Sequence, residues 1–175
     1  MPIENPAPLA QILVQTLAVG LGATAITDLW ALLRKRLFGT PALNYALVGR
    51  WLLYLPESRP AQVPISAAKP KAHETAVGWT VHYLIGLVFA MTLVALEGMA
   101  WLSAPRLLPA LAFGVATVVF LFFIMQPGMG LGVAASRAPR PWLARFHSVV
   151  THAVFGLGMH ATAVVLQKMT SQNVF

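Results

Sequence analysis

The amino-acid sequence predicts an all-α integral membrane protein, a four-helix bundle, and three observations support this fold class. Of the 175 residues, 58% are apolar and only 10% are charged, and the mean hydropathy is +0.71. Soluble domains carry about 25% charged residues, so this chain has too few to cover a water-facing surface. Four long segments are also continuously apolar, without the alternation of β-strands, which favours helices over a β-barrel.

The four apolar segments are predicted to be membrane spans of a single membrane domain, residues 1–175. At a rise of about 1.5 Å per residue, each is long enough to cross a hydrocarbon core of about 30 Å. No Lys or Arg precedes Arg34, so the first segment lacks the basic region of a signal peptide and is expected to be retained. The approximate spans are 9–33, 76–96, 107–125 and 148–166.

Basic residues indicate how the spans are oriented. By the positive-inside rule, the connections 34–75 and 126–147 face the cytoplasm of a bacterial inner membrane, and both termini face the periplasm. Only Arg106 and Lys168 lie on the opposite side. This topology accounts for the net charge of +7, so nucleic acid is not an expected partner. The basic residues of the two connections are Arg34, Lys35, Arg36, Arg50, Arg59, Lys69, Lys71, Arg137, Arg140 and Arg145.

Both cytoplasmic loops have local features of their own. The apolar segment from Leu43 to Leu55 is too short to span the membrane and is predicted to form an interfacial helix or a re-entrant turn. The stretch from Pro56 to Pro70 contains four prolines and is expected to be extended. In the second loop, glycines at alternate positions from Gly128 to Gly132 disfavour a helix.

Polar side chains inside the spans are the candidate functional residues. Ionisable groups in a span are costly and mark a site by default. Asp28, His82 and His152 are each expected one to two turns from the cytoplasmic end of their span, with Glu74 and Gln126 at the ends of the second and third spans. Small residues at i,i+4 spacing from them suggest that they face other helices. The sequence therefore predicts a cytoplasm-facing polar pocket.

Several chemistries fit such a pocket. Asp28, His82 and His152 are suited to bind a divalent metal, with Glu74 or His147 as a further partner. Alternatively, the pocket passes protons in transport or redox chemistry, or His82 and His152 bind a haem b or face a quinone.

The structural alternative is that the histidines form interhelical hydrogen bonds in an accessory subunit, with Asp28 paired to Arg50 or Arg137. The sequence does not decide whether the protein is an enzyme, although it has no G-x-S-x-G elbow, P-loop or cysteine.

Contacts outside the pocket are also expected. Arg50, Arg137 and Arg145 are candidates for binding an anion or lipid phosphate in the bilayer. Four helices are few for a complete transport pathway, so a homodimer or larger membrane complex is an expected partner state.

Several short motifs occur in order along the chain. They are Gly22-Ala23-Thr24 with Asp28-Leu29-Trp30, Gly49-Arg50-Trp51, Glu74 with Gly78-Trp79 and His82-Tyr83, Gln126-Pro127 with Gly130 through Ser136, Arg145, and His152 with Phe155-Gly156. As an ordered set they resemble a family of small bacterial inner-membrane proteins, domain of unknown function 2938. The resemblance covers most of the chain and implies a four-span membrane protein, but no reaction, substrate or cofactor. It adds weight to the polar residues without assigning them a role.

Overall fold

The structure, a computed structural model, describes residues 9–40, 43–57 and 64–172, and the regular elements within these ranges are helical. Four helices are long and apolar enough to cross a membrane, which confirms the predicted fold class. A short helix follows the first of them and another follows the second. The six helices are α1 (Leu9–Phe38), α2 (Tyr45–Tyr54), α3 (Glu74–Glu97), α4 (Ala100–Ser103), α5 (Leu107–Gly128) and α6 (Pro141–Gln172).

The long helices form a bundle in which α1 packs against both α3 and α6, and α5 packs along α6. Small residues allow the close contacts. A Cβ on Gly114 of α5 would lie 2.6 Å from the Cα of Gly156 on α6, so these two backbones touch. The buried core between the helices includes Val19, Ala90, Leu93, Phe155 and Met159.

The outer surface of the bundle is apolar, as a lipid-facing surface must be. Leu29, Leu84, Leu108 and Val165 are each more than half exposed, and they belong to the four different long helices. A contiguous apolar surface of this extent is not compatible with water. The protein is therefore a multi-pass membrane protein.

The first loop folds onto the bundle. The segment 43–55 contains helix α2, whose first turn is capped by the Asn44 side chain accepting a hydrogen bond from the Ala46 N–H. Helix α2 packs against α3, and its interfacial position stays a prediction. Part of the proline-rich stretch forms a 3₁₀ turn, Ile65–Ala67, while residues 58–63, including Arg59, lie outside the described residues.

Helix α5 is irregular near its end. A π-helical turn spans Leu121–Met125, and the Gln126 N–H donates to the Leu121 carbonyl five residues earlier. Pro127 offers no N–H, and its ring crowds the carbonyl four residues before it, which favours such a widened turn. The helix then continues to Gly128, beyond the predicted end at residue 125.

The second loop is held by local and long-range hydrogen bonds. Ala134 and Ala135 both have a positive φ, 47° and 55°, a conformation that costs free energy in residues other than glycine. Arg145 Nε donates to the Ala134 carbonyl at 2.8 Å and fixes this turn from α6. The Ile65 N–H donates to the Met129 carbonyl, so the two loops are joined at the same end of the bundle.

Candidate functional site

Asp28 and His82 meet where α1 crosses α3. The distance from His82 Nε2 to Asp28 Oδ1 is 2.9 Å, and the two side chains are 19% and 18% exposed. Asp28 lies ten residues before the end of α1 and His82 eight residues after the start of α3. At about 1.5 Å per residue, both are roughly 12–15 Å from those helix ends, inside the apolar segments.

Two tyrosines complete this group. The Tyr45 hydroxyl of α2 lies 3.2 Å from Asp28 Oδ1 and 3.0 Å from His82 Nε2. The Tyr83 hydroxyl donates to the other carboxylate oxygen, Oδ2, at 3.1 Å. We call Asp28, Tyr45, His82 and Tyr83 the Asp28 cluster. Both oxygens of the carboxylate therefore have hydrogen-bond partners, as a charge in a low-dielectric setting requires.

Aromatic rings surround the imidazole of His82. The Tyr45 ring stacks on it with centroids 4.2 Å apart and an interplanar angle of 29°. The rings of Trp79 and Tyr83 approach its edges, with centroids at 5.8 Å and 5.4 Å. These contacts fix the orientation of the imidazole and separate much of it from solvent and lipid.

Two glycines allow α2 to bring Tyr45 to this position. A Cβ on Gly78 would lie 1.8 Å from the Tyr45 carbonyl oxygen, and a Cβ on Gly49 would lie 1.9 Å from the Glu74 carbonyl oxygen. The backbones of α2 and α3 thus touch at their crossing, which only residues without a side chain permit. This crossing places Tyr45 within reach of Asp28 and His82.

An ion pair holds the same two helices together. Arg50 Nε and Nη2 donate to Glu74 Oε2 and Oε1, both at 2.7 Å, and the side chains are 10% and 14% exposed. Arg50 Nη1 also donates to the Ala68 carbonyl, and the Lys71 N–H donates to Glu74 Oε2. The hydrogen bonds to Glu74 raise the pKa of Arg50. Removing either partner of this bidentate pair would leave the other charge unpaired.

The environment of Tyr45 also keeps its hydroxyl protonated. Burial, followed by the nearby Asp28 carboxylate, raises the pKa of Tyr45 above its usual value. The phenol therefore acts as a neutral donor and acceptor of hydrogen bonds at physiological pH.

His152 lies in a separate place. Its Nδ1 is 2.7 Å from Thr117 Oγ1, and the same hydroxyl is 2.6 Å from the Gly114 carbonyl oxygen. The structure does not bring His152 to Asp28 and His82, because its face of α6 packs against α5.

This placement bears on the metal and haem hypotheses. Among the residues that the structure describes, no three His, Asp or Glu side chains lie close enough together to hold a metal ion. Of the predicted ligand set, only Asp28 and His82 are adjacent. Of the two histidines expected to flank a haem, His82 has Nε2 within hydrogen-bond distance of Tyr45 and Asp28, and His152 has Nδ1 within hydrogen-bond distance of Thr117.

The other predicted residues are also distributed separately. Glu74 belongs to the ion pair with Arg50, so the expectation that Asp28 pairs with Arg50 is wrong. Gln126 is buried, and its Oε1 has no hydrogen-bond partner in the described ranges. Arg145 binds the Ala134 carbonyl and lies over the Trp142 ring, whereas Arg137 is exposed.

Tyr45 and Tyr83 were not predicted as site residues. Tyr83 follows His82 directly and lies four residues after Trp79, so Tyr83 and Trp79 share a helix face next to His82, and this spacing could have indicated Tyr83. Aromatic residues near the end of a span are also typical of interfacial anchors, which leaves that signal ambiguous for Trp79 and Tyr83. Tyr45 offered no comparable signal, because its position depends on the crossing of α2 over α3.

Together, the fold and the polar cluster define a multi-pass helical membrane protein with a carboxylate–imidazole pair between two of its spans. A family model described as "Protein of unknown function (DUF2938)" matches residues 17–166. The match covers most of the chain, and the protein belongs to this family. No curated protein and no solved structure matches the chain.

Proposed function

We propose that this protein takes up and releases protons at the Asp28 cluster, as part of transport or redox chemistry in the bacterial inner membrane. The observation that carries the proposal is the mutual contact of three atoms: Asp28 Oδ1, His82 Nε2 and Tyr45 Oη lie within 2.9–3.2 Å of one another. Each of these atoms holds or accepts a proton within reach of the other two.

The chemistry of the three groups supports proton exchange. With Asp28 ionised and His82 neutral, the Tyr45 hydroxyl and the His82 ring contribute two protons to the three contacts among Asp28, Tyr45 and His82. A proton can therefore shift from one of these groups to another over a small distance. An additional proton on His82 would be balanced by the Asp28 carboxylate. A compensated pair is far less costly inside a membrane than an isolated charge.

The distribution of basic residues supports the orientation of the site. The loops that contain Lys71 and Arg140 would face the cytoplasm together with the Arg36 end of α1, and Leu9 and Gln172 would face the periplasm. The Asp28 cluster would then lie on the cytoplasmic side of the membrane. In this arrangement Arg137 is placed to contact lipid phosphate, and a homodimer would supply further helices for a transport path.

Proton flux through proteoliposomes tests the proposal. Vesicles containing the wild-type protein and an internal pH-sensitive dye are given a pH gradient with a potassium diffusion potential. We expect Asp28→Asn and His82→Gln to lower the protein-dependent flux at least about tenfold, the size of effect typical of removing an acid–base group.

Glu97→Gln is the matched control, since Glu97 pairs with Arg106 at the opposite end of the bundle. Unchanged flux in both cluster variants, at equal protein content in the vesicles, would contradict the proposal. If these variants lowered only stability, the accessory-subunit alternative, in which the cluster serves helix packing, would be favoured.

A further inference from the structure

Arg34, near the loop end of α1, is a buried guanidinium without a carboxylate partner in the described part of the chain. The residue is 8% exposed. Its Nη1 donates to Thr151 Oγ1 of α6 over a long 3.4 Å, and its Nε is enclosed without a hydrogen-bond partner within the described ranges. A guanidinium has five N–H donors, so most of its hydrogen-bonding capacity is unused.

The side chains next to Arg34 add unused donors but no negative charge. Trp30 lies one turn earlier on α1, and its indole N–H is likewise buried without a partner among the described residues. His147 of α6 is near enough for its charge to interact with that of Arg34. The Thr151 hydroxyl donates its own proton to the His147 carbonyl at 2.8 Å. We call Trp30, Arg34, His147 and Thr151 the Arg34 site.

A buried positive charge with unpaired donors is unfavourable unless an anion completes it. A planar guanidinium is matched best by an oxyanion that accepts two parallel hydrogen bonds, as phosphate does. The site lies at the end of the bundle that carries most basic residues. Leu33, Leu37 and Phe146, beside it on α1 and α6, are largely exposed and are suited to contact acyl chains.

We propose that the Arg34 site binds a phosphate group, with Arg34 as the principal ligand and the Trp30 N–H as an additional donor. A phospholipid headgroup and a free phosphate ion offer the same chemistry. Arg34 is separate from the Asp28 cluster, since Asp28 and Arg34 are six residues apart on α1 and contact α3 and α6, respectively.

The full chain in mild detergent provides the test. Native mass spectrometry measures binding of phosphatidylglycerol and, as a lipid without phosphate, diacylglycerol. The thermal unfolding midpoint is measured with inorganic phosphate against chloride at equal ionic strength. We expect wild-type protein to bind phosphatidylglycerol at least about tenfold more tightly than Arg34→Gln, as the loss of a charged hydrogen-bonding group implies. Arg36→Gln, exposed on the same helix end, should bind like wild type.

Milder variants keep the test decisive if Arg34→Gln fails to fold. Arg34→Lys keeps the charge but loses the planar fork, and Trp30→Phe removes only the indole N–H. Both should weaken lipid binding by a smaller factor. A stabilisation of wild type, but not of Arg34→Lys, by inorganic phosphate alone would assign the site to a free ion.

Two results would overturn the proposal. The first is equal phosphatidylglycerol binding in all variants together with no specific effect of inorganic phosphate. The second is an equal loss of binding in Arg36→Gln and Arg34→Gln, because that would indicate general charge attraction instead of a site.

Discussion

The hydroxyls of Tyr45 and Tyr83 each donate a hydrogen bond to the Asp28 carboxylate, but only the Tyr45 hydroxyl also lies within hydrogen-bond distance of His82 Nε2. This difference allows hydrogen bonding for stability to be separated from proton exchange. Both hydroxyls stabilise the carboxylate, whereas only the Tyr45 hydroxyl can pass a proton between Asp28 and His82.

Tyr45→Phe and Tyr83→Phe should therefore have similar effects on stability but different effects on proton flux. Each variant loses a hydrogen bond to a charged group, which we expect to cost about 1.5–3 kcal/mol in unfolding measured in detergent. Tyr45→Phe should lower the flux several-fold more than Tyr83→Phe. Equal flux in the two variants would show that the Tyr45 hydroxyl has no part in proton exchange, which would then rest on the direct contact between Asp28 and His82.

The contact between Asp28 and His82 could be predicted from the sequence. The contacts of Tyr45 with these two residues could not. Asp28 and His82 lie on long spans, where a residue's height follows from its distance to the basic end. Tyr45 lies in a loop segment whose fold depends on a contact between Gly49 and Gly78, nearly thirty residues apart. No local pattern encodes such a contact.

The packing of helix faces explains why His82 of α3 lies beside Asp28, as expected, whereas His152 of α6 does not. On α3, Gly86 follows His82 by one turn, and its backbone lies against Thr24 of α1, so this face turns His82 toward Asp28. On α6, Gly156 follows His152 by one turn, but it packs against α5. Small residues indicate that a face is buried against a helix, but they do not identify which helix.

The crossing of α2 and α3 gives a prediction about Gly78. In Gly78→Ala the new methyl group would collide with the Tyr45 carbonyl, and because both atoms belong to rigid helices, α2 must move away. We expect a loss of about 1–3 kcal/mol in stability, typical of overpacking, and a proton flux as low as that of Tyr45→Phe.

Thr80→Ala on α3 is the control for this substitution, because Thr80 is exposed and its change introduces no clash. Unfolding midpoints and dye-based flux would be measured on the same preparations. Wild-type flux in Gly78→Ala would indicate that the position of α2 does not govern the Asp28 cluster.

For the whole molecule, the class and the number of spans were predictable because lipid imposes simple requirements on composition and length. The described helices extend past the predicted spans, since α6 begins at Pro141 and ends at Gln172 instead of covering 148–166. Hydropathy detects the part of a helix inside the membrane, and helical hydrogen bonding continues beyond it. The π turn of α5 also has no hydropathy signal.

The absence of cysteine from the sequence makes the orientation directly testable. We expect a membrane-impermeant maleimide to label Lys168→Cys in intact bacterial spheroplasts. Arg36→Cys should react only after the membrane is permeabilised. Both positions are exposed, so reactivity reports the side of the membrane, and the reverse labelling pattern would invert the proposed topology.

The adjacency of α1 and α6 has a consequence for the order of the helices. The Gln15 side chain reaches Thr170 at 3.3 Å, so the ends of the first and last spans that lie away from the two basic loops are neighbours. A short linker from Gln172 to Leu9, with the polypeptide reopened near Gly98, would give a circular permutant that starts with α4 and α5 and ends with α3. Every span would keep its direction through the bilayer, and we expect this permutant to form the same bundle.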